Sequence, residues 1–269
     1  MRLITIVDSV YLCGVFALLQ SMEENSGLPP DTPLTLIHEE PLPEKAKEGL
    51  RRFSYDITFM DRRELGDVKS LRKQKRHHHL IAIKKLLIFR LPFKEKVAFL
   101  DADMLCFNAL TGMEDLPHLS AAPDSGKVAR TVSTGDPMFN TGFLVFQPSE
   151  ELYEEIMDFY NASEEDFLFG DQGILNEFLY RNRPQMVNMI DSSWNTLKPV
   201  SFYHSEQFDL SKVRLLHYVS GKPWDEGIYR SNQLPYFRLH EIWWDFFERS
   251  PGPEFYPAPH GRPVLSTYR

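Results

Sequence analysis

Cysteine is almost missing. The two present, Cys13 and Cys106, can build neither a disulfide framework nor a cysteine-rich zinc site, which points to a reducing compartment, with the cytoplasm as the default. Long apolar runs are missing too, for no stretch reaches the roughly 20 residues of a membrane span. The apolar segment Val10 to Leu19 resembles the middle of a signal peptide. Asp8 stands where a cationic leader belongs, however, so a strand feeding a helix fits better. Positive charge is in deficit, with 30 Lys and Arg against 38 Asp and Glu and a formal net charge of −8. That balance argues against a nucleic-acid partner, while a local basic patch can still take a diphosphate. No internal repeat is present. What remains is a chain of 269 residues, 42% hydrophobic and 13% aromatic, which suffices for one large α/β domain with a sizeable core.

Apolar strand patterns alternate with helical ones, which predicts a mostly parallel sheet. Leu3 to Val7 reads as a strand, Asp8-Ser9 as a cap, and Tyr11 to Met22 as an amphipathic helix. Strands are predicted at Leu34 to Ile37, Ile57 to Met60, Lys96 to Leu100, Leu119 to Asp124, Gly142 to Gln147, Met186 to Ile190 and Val213 to Leu216. Helices are predicted at Leu80 to Leu91, stopped by Pro92, and at Glu150 to Tyr160, Asp171 to Tyr180 and Phe237 to Arg249. Beyond Trp224 prolines and aromatics take over. Residues 1–225 are therefore expected to form the main domain, and 226–269 a helix and irregular tail packed on it.

The strongest local signal is Asp101-Ala102-Asp103 directly after an apolar strand. Side chains at i and i+2 of extended chain project to one side, so two carboxylates can share one cation. Hard oxygen ligands suit Mg²⁺ or Mn²⁺, and such an ion can bridge the phosphates of a nucleotide sugar. Ligands of open α/β sheets gather beyond the carboxyl ends of the strands, where this pair falls. Alone, the triplet reads equally well as a solvated turn.

Further blocks follow in order: Phe139-Asn140-Thr141-Gly142, Gly170-Asp171-Gln172-Gly173, and His217-Tyr218 with Gly221-Lys222-Pro223-Trp224. Together with Phe99 to Asp103 they resemble family 8 of the glycosyltransferases, the retaining enzymes related to glycogenin and galactinol synthase. The likeness runs from about Ile4 to Trp224. It implies a single GT-A type, Rossmann-like domain that transfers glucose or galactose from a UDP-sugar to a hydroxyl acceptor. It further implies that Asp101, Asp103 and His217 hold Mn²⁺, or Mg²⁺, and that Lys222, next to Gly221 in the closing loop, neutralises the departing diphosphate. Donor contacts would come from Asp8, Tyr11 stacked on uracil, Lys85, Asp124 and Asn140, with Asp171 and Gln172 facing the transferred sugar. Packed or solvated roles remain open for Tyr11 and Lys85. A self-glucosylating primer is the alternative, with Tyr203 in the segment where an acceptor tyrosine would fall, although a packed aromatic is the preferred reading. A homodimer stays open.

Other features carry less. His77-His78-His79 on a helix would point to different faces and cannot share one ion. The basic run Lys69 to Arg76 reads as a solvated face, and Trp243-Trp244 as aromatic packing of the tail rather than an acceptor platform. A haloacid-dehalogenase phosphatase also places Asp-x-Asp after a strand, but Leu105 stands where that motif carries Thr or Val.

Overall fold

The structure is a computed structural model and describes residues 1–68, 83–125, 135, 137–164, 167, 169–228 and 233–262. The basic run and the three histidines lie outside the described residues, as do Leu80 to Ala82. The rest of that predicted helix is helical at 83–85 and then tightens into a 3₁₀ turn, Leu86–Arg90, ahead of Pro92.

Strand β1 (Arg2–Val7) is followed by α1 (Leu12–Asn25), β2 (Pro33–His38), α2 (Glu44–Leu50), β3 (Asp56–Asp61), β4 (Val97–Leu100) and β5 (Met104–Cys106). Then come β6 (Ser120–Pro123), β7 (Phe139–Phe146), α3 (Glu150–Ala162), α4 (Asp171–Asn182), β8 (Asn188–Met189) and β9 (Thr196–Leu197). A one-turn helix α5 (Val200–Tyr203), β10 (Leu215–His217), α6 (Phe237–Arg249) and α7 (Gly252–Phe255) complete the described elements. The central sheet has the order β3-β2-β1-β4-β7-β6-β8. Its strands pair in parallel except on either side of β7, in agreement with the mostly parallel sheet read from the sequence.

The strand order explains where a ligand can sit. The chain steps outward from β1 through β2 to β3, then returns to place β4 on the opposite side of β1. A crevice opens at that reversal, beyond the C-terminal ends of β1 and β4. Asp8 follows β1 directly and Asp101 follows β4 directly. A smaller sheet, β5-β10-β9, stands beside the crevice and brings His217 opposite Met104, one residue after Asp103.

Alternation along the strands fills two cores, one on each face. In β4, Ala98 and Leu100 face the side covered by α1 and α6, while Val97 and Phe99 face α3, α4 and the 86–90 turn. Helix α1 departs from the amphipathic pattern expected of it, since Leu12 to Leu19 is buried throughout. Its outer side is covered by α6, which seats Trp243 and Trp244 at 0% and 2% exposure. The Asp8-Ser9 cap needs the same kind of adjustment. Tyr11 is the N-cap and has no side-chain bond there. Asp8 Oδ1 instead accepts from the Val10 and Tyr11 amides at 2.9 and 2.8 Å, which shapes the turn before the helix.

Candidate active site

The acidic pair reaches its geometry by a turn, and the extended-chain reasoning applied to it above does not hold. Asp101 to Asp103 is the tight link between β4 and β5. Helix α1 presses on it through Gly14, where a Cβ would lie 2.5 Å from the Ala102 carbonyl oxygen and 2.9 Å from Trp224. Any side chain at that position would push the turn away. The Tyr218 amide donates to the Asp103 carbonyl at 2.8 Å, so the turn is held from the β10 side as well.

His217 Nε2 lies 3.2 Å from Asp103 Oδ1 and 3.7 Å from Asp101 Oδ2. One ligand atom from each of the three residues falls within 4.8 Å of the others. An octahedral ion with bonds of about 2.0–2.1 Å separates neighbouring ligand atoms by ~3 Å, so the set fits a divalent cation. Gly142 makes room for the imidazole, since a Cβ there would lie 2.3 Å from His217 Cε1.

The ring's tautomer follows from a relay of hydrogen bonds that starts at one backbone amide. Gly142 N–H can only donate, and it donates to Asn140 Oδ1 at 2.8 Å. That oxygen therefore also accepts from Asn195 Nδ2, at 2.8 Å. Asn195 Oδ1 is then left to accept from His217 Nδ1, 3.1 Å away. With Nδ1 committed as a donor to Asn195, Nε2 is the ring atom turned toward the two carboxylates, where it would offer its lone pair to a bound cation. The same relay runs outward, from Asn140 Nδ2 to Gln172 Oε1 at 3.0 Å and from Gln172 Nε2 to Asp124 Oδ2 at 2.7 Å.

Two lysines balance the carboxylates. Lys85 Nζ donates to Asp101 at 2.9 Å and lies 3.5 Å from Asp171 Oδ2, which also accepts from Thr141 Oγ1 at 2.8 Å. Lys222 Nζ donates to Asp103 and, at 2.9 Å, to the Tyr218 carbonyl. Burial pushes the Asp101 carboxyl above the usual carboxylate range, against the pull of Lys85 and His217. For Asp103 burial acts in the same sense, but Lys222 and His217 outweigh it and hold the group well below that range. Burial would lower both lysines. Their aspartate partners outweigh it, so both remain firmly cationic.

These groups line a cavity of about 430 Å³ that also takes in Asp8, Tyr11, Arg62, Glu39 and Ser220. Tyr11 sets its ring edge-on against Trp224 with centroids 5.7 Å apart, and the Lys222 amine is 5.7 Å from the Tyr11 ring centre. A second cavity, of about 580 Å³, shares Val219 and Ser220 with the first and is lined by Asp124, Asn140, Lys198 and several aromatic rings. Asp124 and Asn140 thus open on this second space. Gly221 lines neither cavity. It is packed so closely that a Cβ would meet Ile228 at 2.7 Å, and its carbonyl accepts from Lys198 Nζ at 2.5 Å.

Several of these residues carried no signal of their own in the sequence. Asn195, Thr141, Gly14 and Lys198 become visible only through what they touch. Lys198 is fully buried, bonds Gln233 Oε1 at 2.7 Å and lies 3.2 Å from His240 Nε2. Burial, then repulsion from Lys222, lowers its amine to about 7. Tyr203 contradicts the packed reading, being 63% exposed at the rim of the second cavity.

Solved proteins share this fold. The structure titled WbbM bifunctional glycosyltransferase superposes with a TM-score of 0.70 at 17% identity, over 94% of this chain and 50% of that one. Galactosyltransferase LgtC, solved with donor and acceptor sugar analogs, gives 0.60 at 17% identity, over 90% and 95%. The architecture is that of the GT-A glycosyltransferases. The family model described as Glycosyl transferase family 8 matches residues 3–227, and the chain belongs to that family. The putative UDP-glucuronate:xylan alpha-glucuronosyltransferase 4 of Arabidopsis thaliana is 27% identical over 263 residues, 91% of this chain and 42% of that protein. Glycogenin-1 of Mus musculus is 27% identical over 212 residues, 71% of this chain and 59% of that one. The chain thus spans about two fifths to three fifths of the length of these relatives. Membership of the family removes the phosphatase reading, and Leu105 is buried within β5.

Proposed function

We propose that this chain is a retaining, divalent-metal-dependent transferase that moves a hexose, glucose or galactose, from a UDP-sugar to the hydroxyl of a separate acceptor. The observation that carries the reading is the cluster of Asp101, Asp103 and His217 at the sheet reversal, flanked by two lysine ammonium groups on the wall of a nucleotide-sized cavity. A bound Mn²⁺ would neutralise the donor's diphosphate and polarise its bond to the sugar. Carboxylate and imidazole together suit Mn²⁺ better than Mg²⁺.

Tyr11 supplies a ring at the cavity wall for the base. Lys222, on the opposite loop, can exchange its bond to Asp103 for the charge that develops on the departing diphosphate. Gln172 lines neither cavity, and its amide is bonded at both ends, to Asn140 and to Asp124, so its part in this reading is to hold those two residues in place. Asp171 is engaged by Lys85 and Thr141, which makes it a poor attacking carboxylate. That favours acceptor attack on the same face from which UDP leaves over a covalent sugar intermediate. A cytoplasmic location belongs to this proposal too. Among the described residues no helix is long and apolar enough to cross a membrane.

The test is release of UDP from UDP-glucose, UDP-galactose and UDP-glucuronate, with Mn²⁺ and with EDTA, combined with intact-mass measurement. UDP-glucuronate is included because of the donor named for the plant relatives. Mn²⁺-dependent release from a hexose donor is expected. Turnover undiminished by EDTA, or restricted to the glucuronate, would overturn the corresponding part. The exposure of Tyr203 keeps self-glycosylation as a second reading, which hexose mass added to the chain itself would support.

A further inference from the structure

Large apolar side chains rarely stay exposed together without a use. Among the described residues Phe169, Phe202, Tyr203 and Leu234 are 51%, 52%, 63% and 51% exposed. The first three line the second cavity, and Leu234 sits between its lining residues Gln233 and Pro235. Phe202 and Tyr203 meet edge to face with centroids 5.2 Å apart, and Phe202 lies 6.3 Å from Tyr236, another lining ring. Phe202, Tyr203 and Tyr236 therefore form a continuous aromatic shelf.

The floor is different. Asp124 and Ser220 bring a carboxylate and a hydroxyl there, beside Asn140, Gln233 and the buried Lys198, which are bonded to their neighbours. An apolar occupant would desolvate the Asp124 carboxylate and the Ser220 hydroxyl without replacing their bonds to water. A pyranose ring suits both surfaces, since its hydroxyls can bond the floor while its C–H faces cover aromatic rings. A single sugar on the floor would leave the shelf of α5 uncovered.

We propose, resting on the transferase reading above, that the acceptor is an oligosaccharide. Its terminal sugar would seat against Asp124 and Asn140, and the sugars behind it would lie across Phe202, Tyr203 and Tyr236. Val219 and Ser220 line both cavities, so an acceptor hydroxyl at the floor enters beside the donor site. The shelf contributes acceptor affinity and takes no part in the chemistry.

The experiment measures kcat/KM, with the best donor, for glucose against maltotetraose, xylose against xylotetraose, and galactose against β-1,4-galactotetraose. At least one tetrasaccharide should exceed its monosaccharide by about 10-fold or more. In Phe202→Ala/Tyr203→Ala that ratio should collapse toward one through a rise in acceptor KM, about 10-fold for a lost ring face. Tyr203→Phe, which keeps the ring, should hold the ratio. Both positions are more than half exposed, and circular dichroism checks that the variants fold. Equal use of monosaccharide and tetrasaccharide by the unmodified chain, or an unchanged ratio in the double variant, overturns the proposal. So does transfer of hexose only to the chain itself. Hydrolysis of donor without transfer to any of these glycans would defeat the acceptor inference alone, whereas failure to hydrolyse any UDP-sugar would defeat the transferase reading beneath it.

Discussion

The two cavities meet at Val219 and Ser220 but are built by opposite means. In the first, the charged groups around the acidic pair are committed to one another. Asp101, Asp103, Asp171, His217, Lys85 and Lys222 hold one another through short bonds, and glycines at 14 and 142 let backbone and ring approach within distances no side chain allows. In the second, the floor is tied into the relay but the rim is bare aromatic surface on a one-turn helix and the segment before α6. A site that manages a diphosphate and a metal must fix charges to within fractions of an ångström, because misplaced charge in a low-dielectric crevice is costly. A surface that gathers sugar rings by area tolerates variation. The contrast teaches that charged groups are fixed where several elements converge on them, whereas an aromatic rim can rest on a single connecting turn.

The sharpest way to break this contrast is to strip the first cavity of its ligands. Asp103→Ala and Asp101→Asn should each reduce transfer to background while circular dichroism stays native, and EDTA should do the same. Near-normal transfer by either variant with Mn²⁺ would show that the cluster holds no needed ion. Lys222→Ala comes next, with a fall of ~10²-fold in kcat, about 3 kcal/mol, and little change in donor KM. A variant altered only in donor KM would place the lysine in ground-state binding instead.

Smaller effects probe the packing that aims the cluster. Gly142→Ala sets a methyl against His217 and should cost on the order of 10-fold in metal affinity, read as a shift in the Mn²⁺ concentration for half activity. An unmoved metal curve would mean that His217 has another route to its place. Asn195→Ala removes the acceptor that keeps the proton on Nδ1, and should weaken Mn²⁺ affinity about 10-fold with a smaller loss of kcat at saturating metal. At the mild end, Tyr203→Phe loses one hydroxyl at the rim and should change transfer to a soluble acceptor by less than about twofold. Complete loss of hexose incorporation, with donor hydrolysis retained, would move the acceptor onto the chain itself.

Much of the frame was legible in linear patterning. Helix α6 has the bounds read from its periodicity, Phe237–Arg249, because its apolar positions recur on one face and it has one face to bury. Helix α1 was misread as amphipathic because it lies between the sheet and α6, a burial that only the distant tail creates. Strand β7 begins at Phe139, earlier than the apolar run suggested, since Asn140 and Thr141 are polar residues inside a strand whose side-chain partners, Gln172 and Asp171, come from the first turn of α4. Tyr203 was misjudged for the converse reason. An aromatic in a run such as Ser201-Phe202-Tyr203-His204 looks like core, and nothing local reveals that α5 projects from the domain.

Residue order alone settled the alternation of strand and helix, the acidic triplet at a strand end, and the company it keeps with the asparagine, glutamine and lysine blocks. Those are statements about local periodicity and about side-chain type, which neighbours along the chain suffice to express. Tertiary structure decided that Asp101 and Asp103 converge through a turn, that Asn195 sets the tautomer of His217, and that Gly14 and Gly142 clear the space for both. It also decided that Phe202 and Tyr203 share one shelf with Tyr236. Each of these depends on segments far apart in sequence meeting across the reversal of the sheet, and the distances there are set by packing that no local pattern encodes.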